Sequence, residues 1–458
     1  MAAHYDGNTL QLEELHRFPN TPVSVRGTLY WNVLKLWSDV QDGIRKGFEL
    51  KPAGLGVDAW GVDFGLLDRS GELVGQLVHY RDGRTAGMME EVFARAPKVR
   101  VFEQTGTQFM PINTLFQLTS LVVRRSPLLA VADTFLTVPD LLNYWLTGTK
   151  VCEFTNATTT QLYNQRQQGW ATDLIAALDI PAAIFPEVVP PGTQLGTFEG
   201  IRVIAPACHD TGSAVVAIPS TADRSAYISS GTWSLVGLEV AAPVINQASL
   251  AANVTNEGGV NGTCRLLKNV MGLWILQQCR GSWHAQGRLY SYGELMQLAA
   301  TEPSLRSLVP VNDASFLTSG DHVGVVRDLC KACGEPIPDT PGAVVRCVLE
   351  SLALAYREVL DILLSLTGEI VEVVQIVGGG SQNKLLNQLT ANAPGVPVIA
   401  GPVEATVLGN AAVQLMSTGA LSSLAEARQV IKNSTFLEQY QPQAQVDWQE
   451  AYHRYQNL

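Results

Sequence analysis

The chain has 458 residues, of which 46% are hydrophobic and 16% charged, the profile of a soluble globular protein with cores for two to three domains. Its net charge is −11, from 31 basic and 42 acidic residues, which runs against a nucleic-acid binder. No stretch approaches the ~18 uninterrupted apolar residues of a membrane span, and the start, MAAHYDGNTLQLEEL, lacks the basic and apolar regions of a signal peptide, so a cytoplasmic location is expected.

In chain order, Asp6-Gly7 is a hairpin turn signal and TLQLEELHRF, 9–18, continues as a strand. Only five residues precede that turn, so the first strand is a stub with an open edge. GLGVDAWGVDFGLLD, 54–68, reads as strands, with a turn at Arg69-Ser70-Gly71. PDLLNYWLTG, 139–148, reads as a helix ended by Gly148. RVIAPAC, 202–208, reads as a buried strand running into the helix DTGSAVVA. The Pro/Ser/Thr/Asp-bearing stretch IPSTADRSA, Ile218 to Ala226, reads as a connection, which predicts domains at 1–219 and 220–458.

Beyond it, AYISSGTWSLVGLEV, 226–240, reads as a hairpin turning at Ser-Gly-Thr. The β-branched run VEVVQIV, 371–377, leads through GGGSQN into the helical pattern KLLNQLTANA. Alternating strands and helices predict an α/β fold. The seven cysteines are odd in number and irregular in spacing, which suits a reducing compartment. Cys330 and Cys333 form one CxxC, with Cys347 further on, but no second CxxC completes a zinc pattern, and structural thiols are the simpler reading.

Four segments carry possible chemistry, and each has a plainer reading. Asp210, in CHDTGSAVVA at a strand-to-helix junction, has the placement of a general base for a hydroxyl, or of a simple helix cap. The ISSGTWS turn, 228–234, offers N–H groups and hydroxyls to phosphate oxygens, or is an ordinary hairpin. The glycines of IVGGGSQN, 376–383, permit close backbone approach to a ligand, though the run is neither a Walker A nor a Rossmann motif. The glycine of ATVLGNAAVQLM, 405–416, is expected to pack in the same region. DAWGVDF, 58–64, and HYRDGRT, 79–85, combine carboxylates with aromatics in a way that suits a polyol, or are strand-end turns. Neither HExxH nor GxSxG occurs.

The order of HRFPN, DAWGVDF, YRDGRT, FMPINTLFQL, PDLLNYWLTG, TNATTTQLYN, HDTGSAV, SSGTWSL, NVTNEGG, LLKNVMGLWILQ, VGGGSQNKLLNQL and GPVEATVLGNAAVQLM resembles the FGGY family of carbohydrate kinases along nearly the whole chain. TNATTTQL, TNEGG and LKNVMGLW are similar to its branch acting on L-rhamnulose. The resemblance implies two actin-like (ribonuclease-H-like) domains with a ligand cleft between them. It also implies transfer of the ATP γ-phosphoryl group, with Mg²⁺, to the 1-hydroxyl of L-rhamnulose, in rhamnose breakdown. Fuculose, xylulose and a non-catalytic form that binds sugar or nucleotide are the alternatives.

In that picture Asp210 is the base, and Gly61, His209 and Thr211 line the ketose site, with Asp82 also on the substrate side. Thr232 contacts ATP phosphates, and Asn269, Gln277 and Gly379 belong to the nucleotide side. The sequence departs from the family in one place. The family's opening strand and its D-x-G-x-x-S-G-R-like phosphate-binding turn have no counterpart before Asp6-Gly7.

Overall fold

The computed structural model describes residues 1–219, 224–443 and 447–458, so part of the expected connection around residue 220 lies outside the described residues. Two compact units emerge. One comprises Met1–Ser220, Glu239–Leu266 and Ala405–Ser434; the other comprises Thr221–Leu238, Leu267–Glu404 and Thr435–Leu458. No helix among the described residues is long and apolar enough to cross a membrane.

The first unit opens with the expected hairpin, in which Ala2–Tyr5 pairs antiparallel with Leu10–Glu13. The Asp6 carboxylate accepts from the N–H groups of Asn8 and Thr9 at 2.8 and 2.7 Å and so forms the turn. The second strand stops at Glu13 rather than running to residue 18, because its partner offers only four residues to pair with. A separate sheet has the order Gln194–Phe198, Ile201–Ile204, Gly54–Leu55. The predicted 202–208 strand ends at Ile204, two residues before Pro206, which has no N–H to give a ladder.

Among the described residues, Ala2–Tyr5 and Gly54–Leu55 each have one strand partner and one unpaired edge. Both border a cavity of about 480 Å³, along with Asp58, Asn410 and Gln414. The main core of this unit gathers Phe102, Phe116, Phe135, Leu136 and Leu141. The helix Val138–Thr147 ends as predicted at Gly148, whose φ of 76° allows its N–H to reach the Tyr144 carbonyl.

The second unit is built on consecutive strands of a larger sheet, in the order Cys264–Met271, Trp233–Val240, Ser225–Ser230, Val373–Val377, Val398–Ala400, Glu438–Tyr440. Ser225–Ser230 runs antiparallel to Trp233–Val240 and parallel to Val373–Val377. The central strand Val373–Val377 is buried throughout, as its β-branched run predicts. The long helix Pro341–Thr367 starts at a Thr340 cap, with Pro in its first turn, and ends at Gly368 in the left-handed conformation. Its buried side chains Val344, Val348, Leu352, Ala355, Val359 and Leu363 recur every three or four residues, the stripe of a core-facing helix.

Candidate active site

In the first unit the strand Ile201–Ile204 runs through Cys208 into the helix Asp210–Val216. The segment before Gly61 lies beside this junction. The Ala59 N–H donates to the Cys208 carbonyl at 3.0 Å, and the Asp210 N–H donates to the Ala59 carbonyl at 2.9 Å. Segment 155–160 ties the same region from another side. Thr155 Oγ1 accepts from the His209 N–H at 3.1 Å. Thr159 packs on Gly61 so closely that a Cβ there would meet its Oγ1 at 2.9 Å, so only glycine fits this position without displacement. The next residue, Val62, holds a φ of 67°, a genuine outlier for a β-branched side chain. Its carbonyl is held by Thr114 Oγ1 at 2.6 Å and Gln117 Nε2 at 3.2 Å.

Asp210 is the first residue of its helix, and His209 occupies the cap position. The carboxylate therefore does not cap the helix across the first turn. One of its oxygens accepts from the backbone and hydroxyl of Thr211, while 46% of the side chain stays exposed. A positioned carboxylate at a helix start, open on one side, can accept a proton from a hydroxyl. His209 and Thr211 flank it and are both buried. The structure thus brings Gly61, His209, Asp210 and Thr211 into one neighbourhood. Asp82 has a different occupation. Its two oxygens accept from the backbone N–H groups of Leu29 and Arg84, at 2.8 and 2.9 Å, and anchor the loop 79–85.

Buried carboxylates hold this neighbourhood from below. Glu153 is fully buried and accepts from the Thr155 N–H, the Thr155 hydroxyl and the Cys208 N–H, at 2.9, 2.6 and 2.9 Å. Asp140 in turn accepts from the Glu153 N–H at 3.0 Å. Burial pushes both carboxyls up to about 7. Asp63 accepts from the indole N–H groups of Trp31 and Trp60 at 2.6 and 3.0 Å, and from Gln117 at 3.0 Å. It fixes Trp60 next to Gly61, and burial raises its carboxyl to about 6. Asp58 accepts from Asn410 Nδ2. Burial, and then the nearby charge of Asp210, raise Asp58 to about 7.

The nucleotide-side candidates meet in the second unit around one turn. Thr232 sits at the tip of the hairpin that closes at Ser230 and Ser234. The carbonyls of Gly231 and Thr232 accept from the N–H groups of Leu273 and Trp274, at 3.0 and 3.1 Å. Gly272 permits this contact, since a Cβ there would come within 2.6 Å of the Trp233 carbonyl carbon. Asn269 lies on the strand that enters this corner, and Gln277 lies on the helix Trp274–Ala285 that leaves it.

The three glycines after Val377 have separate tasks. At Gly378, with φ 85°, a Cβ would lie 3.0 Å from the Ser230 carbonyl, and at Gly380 it would strike Ser230 Oγ at 2.0 Å. Gly379 is exposed and has open space where a side chain would go. Turn N–H groups, a threonine hydroxyl and an exposed glycine suit the oxygens of a polyphosphate. The later glycine of the sequence, Gly409, is not part of this group. It packs against Ser213, on the helix that carries Asp210.

The FGGY family of carbohydrate kinases matches through its N-terminal domain at residues 8–204 and its C-terminal domain at residues 226–418. The chain belongs to the FGGY family of carbohydrate kinases. Among curated relatives, the rhamnulokinase of Bacteroides thetaiotaomicron is 43% identical, over 98% of this chain and 94% of the relative. The rhamnulokinase of Pectobacterium atrosepticum is 41% identical, over 98% of this chain and 91% of the relative. Among solved structures, a ligand-bound xylulose kinase from Lactobacillus acidophilus aligns with a TM-score of 0.78 at 16% identity, over 95% of this chain and 90% of that one. A Plasmodium falciparum glycerol kinase with ADP aligns at 0.75 and 16% identity, over 96% and 91%. These FGGY neighbours share the two-domain actin-like fold.

Several residues that build the site carry no motif signal of their own. Glu153 lies in no recognisable motif, and Asp63 is one of two acids in DAWGVDF. Glu257 Oε2, 3.1 Å from His209 Nδ1 and from Arg265 Nη2, lies in TNEGG, and Arg265 belongs to no motif. An arginine in the apolar run CRLLKNVM was the available signal, since a charge inside a strand with this pattern requires a buried partner.

Proposed function

We propose that the chain transfers the γ-phosphoryl group of MgATP to the 1-hydroxyl of L-rhamnulose. The observation that carries the reaction type is the partly exposed Asp210 carboxylate at its helix start, flanked by buried His209 and Thr211. The sugar is carried by likeness to relatives named rhamnulokinase at 43 and 41% identity over nearly the full chain.

In this reading Asp210 accepts the hydroxyl proton as the new P–O bond forms and the bond from the γ-phosphorus to the bridging oxygen breaks, with ADP leaving. Gly61, His209 and Thr211 line the sugar site, and Trp60, held by Asp63, covers a C–H face of the ketose. Thr232, Asn269, Gln277 and Gly379 receive the nucleotide. Mg²⁺ carried by the nucleotide would supply neutralisation of phosphate charge. Phosphoryl transfer asks a protein mainly for positioning and charge stabilisation, and rigid supports of the kind Glu153 and Asp63 provide are what such positioning needs.

The test is a panel of L-rhamnulose, L-fuculose and D-xylulose with MgATP, followed by phosphorus NMR of the product. The reading expects the highest kcat/KM with L-rhamnulose and phosphate on its first carbon. A higher kcat/KM for fuculose or xylulose, or phosphate on another carbon, refutes the sugar assignment and leaves the family unchanged.

A further inference from the structure

His209 is held by a buried charged pair, Glu257 and Arg265. Glu257 Oε2 lies 3.1 Å from His209 Nδ1 and 3.1 Å from Arg265 Nη2. Arg265 Nη2 is itself 3.2 Å from His209 Nδ1, and Arg265 Nε donates to the Gly258 carbonyl at 2.8 Å. Among the described residues Arg265 is the largest fully buried side chain, and Glu257 is 4% exposed. On its other side the ring turns Nε2 toward Asp210 Oδ1, at 3.5 Å. A chain of groups thus runs from Arg265 and Glu257, through the imidazole, to the carboxylate proposed as base.

Burying an arginine and a glutamate is a weak route to stability, because desolvation offsets most of their attraction. This pair is also not optimised for stability. Among the described residues, Arg265 Nη1 has no hydrogen-bond partner, and the contacts of Glu257 Oε2 are ionic rather than aligned hydrogen bonds. Burial pushes Glu257 up, but the charges of Arg265 and His209 outweigh it and hold the carboxyl below its ordinary range. Glu257 is therefore a carboxylate at neutral pH. The three groups come from different stretches of chain: His209 from the helix start, Glu257 from the strand Thr255–Gly258, and Arg265 from the strand Cys264–Met271. Glu257 and Arg265 converge on one imidazole nitrogen, a strong constraint on the ring.

We propose that Glu257 and Arg265 are positioning residues that clamp the Nδ1 side of His209, so that Nε2 is presented to the sugar hydroxyls beside Asp210. The proposal rests on the reading of Asp210 as base and His209 as a sugar contact. Neither Glu257 nor Arg265 touches substrate; they act through the ring. Without them the imidazole rotates away and the sugar loses an oriented polar partner, while the nucleotide site in the other unit is untouched.

The decisive variant is Glu257→Gln with Arg265→Met, which removes both charges together and leaves neither buried alone. With wild-type chain and Asp210→Asn run in parallel, the proposal expects a folded double variant whose sugar KM rises at least about tenfold, as for loss of a charge-assisted contact. Its KM for ATP stays within about twofold. A folded variant with unchanged sugar KM, or with both KM values raised alike, overturns the proposal. The wild-type and Asp210→Asn results judge the functional reading separately. If the double variant does not fold, Glu257→Asp decides by the same split, since it keeps the charge but draws the carboxylate back from the ring.

Discussion

Gly409 lies so close to Ser213 that a Cβ on the glycine would stand 1.8 Å from the serine carbonyl oxygen. The two residues belong to the helices Ala405–Ser417 and Asp210–Val216. Thr406, on the first of these helices, also donates to the Asp210 carbonyl at 3.3 Å. Gly409→Ala must push the helix bearing Asp210 away. Overpacking of this kind costs roughly 1–3 kcal/mol, to be read from denaturant unfolding. Turnover should fall as well, because the carboxylate moves with its helix. Wild-type stability and turnover in this variant would show the contact to be slack.

The glycines after Val377 separate packing from ligand approach. Gly380→Ala is expected to lower stability by roughly 1–3 kcal/mol, since its methyl would strike Ser230 Oγ at 2.0 Å. Gly379→Ala meets nothing within 4 Å, so its stability should stay within about 0.5 kcal/mol of wild type. Its effect should appear in the KM for ATP and leave the KM for the sugar unchanged. Thermal unfolding and nucleotide titration of both variants check the contrast.

Stability should also follow pH in a particular direction. Asp58, Asp140 and Glu153 are raised to about 7 and Asp63 to about 6, in each case first by burial. In the unfolded chain these carboxyls ionise near their ordinary values of about 4. The folded state therefore holds protons that the unfolded state releases, and stability is lost as pH rises from about 4 through about 7. His79 acts in the opposite sense. Burial lowers it to about 4, so its contribution is lost as pH falls below the ordinary histidine value of about 6.5. The unfolding midpoint should be higher at pH 6.5 than at pH 8. A midpoint that rises between 6.5 and 8 would contradict the burial of these carboxyls.

Features governed by local chemistry were legible in the sequence. Gly148 ends its helix, Ser-Gly-Thr turns its hairpin, and a glycine run follows Val377, because each depends on neighbours in the chain. What depended on a distant partner was not legible. The strand after Asp6-Gly7 looked longer than it is, since its length is set by the four residues that pair with it. The region of Gly409 was misjudged because its glycine answers to Ser213, almost two hundred positions away in sequence. The same holds for the site. The motif order points to Gly61, His209, Asp210 and Thr211, which the fold gathers around one helix start, while the Asp82 carboxylate is engaged by the N–H groups of Leu29 and Arg84. Glu153, Glu257 and Arg265 become visible only when distant segments fold together, Glu153 onto Cys208 and the other two onto His209.

The central claim is that Asp210 serves as base for sugar phosphorylation. The most direct measurement is ADP release by the purified chain with MgATP, with and without L-rhamnulose, beside Asp210→Asn. The account predicts sugar-dependent release by the wild type and a drop of about 10²–10⁴-fold in the variant, with both proteins folded to the same thermal midpoint. Sugar-dependent release that survives Asp210→Asn unchanged would contradict the assignment of the base. A folded wild type that releases no more ADP with the sugar than without it would contradict the kinase reading itself.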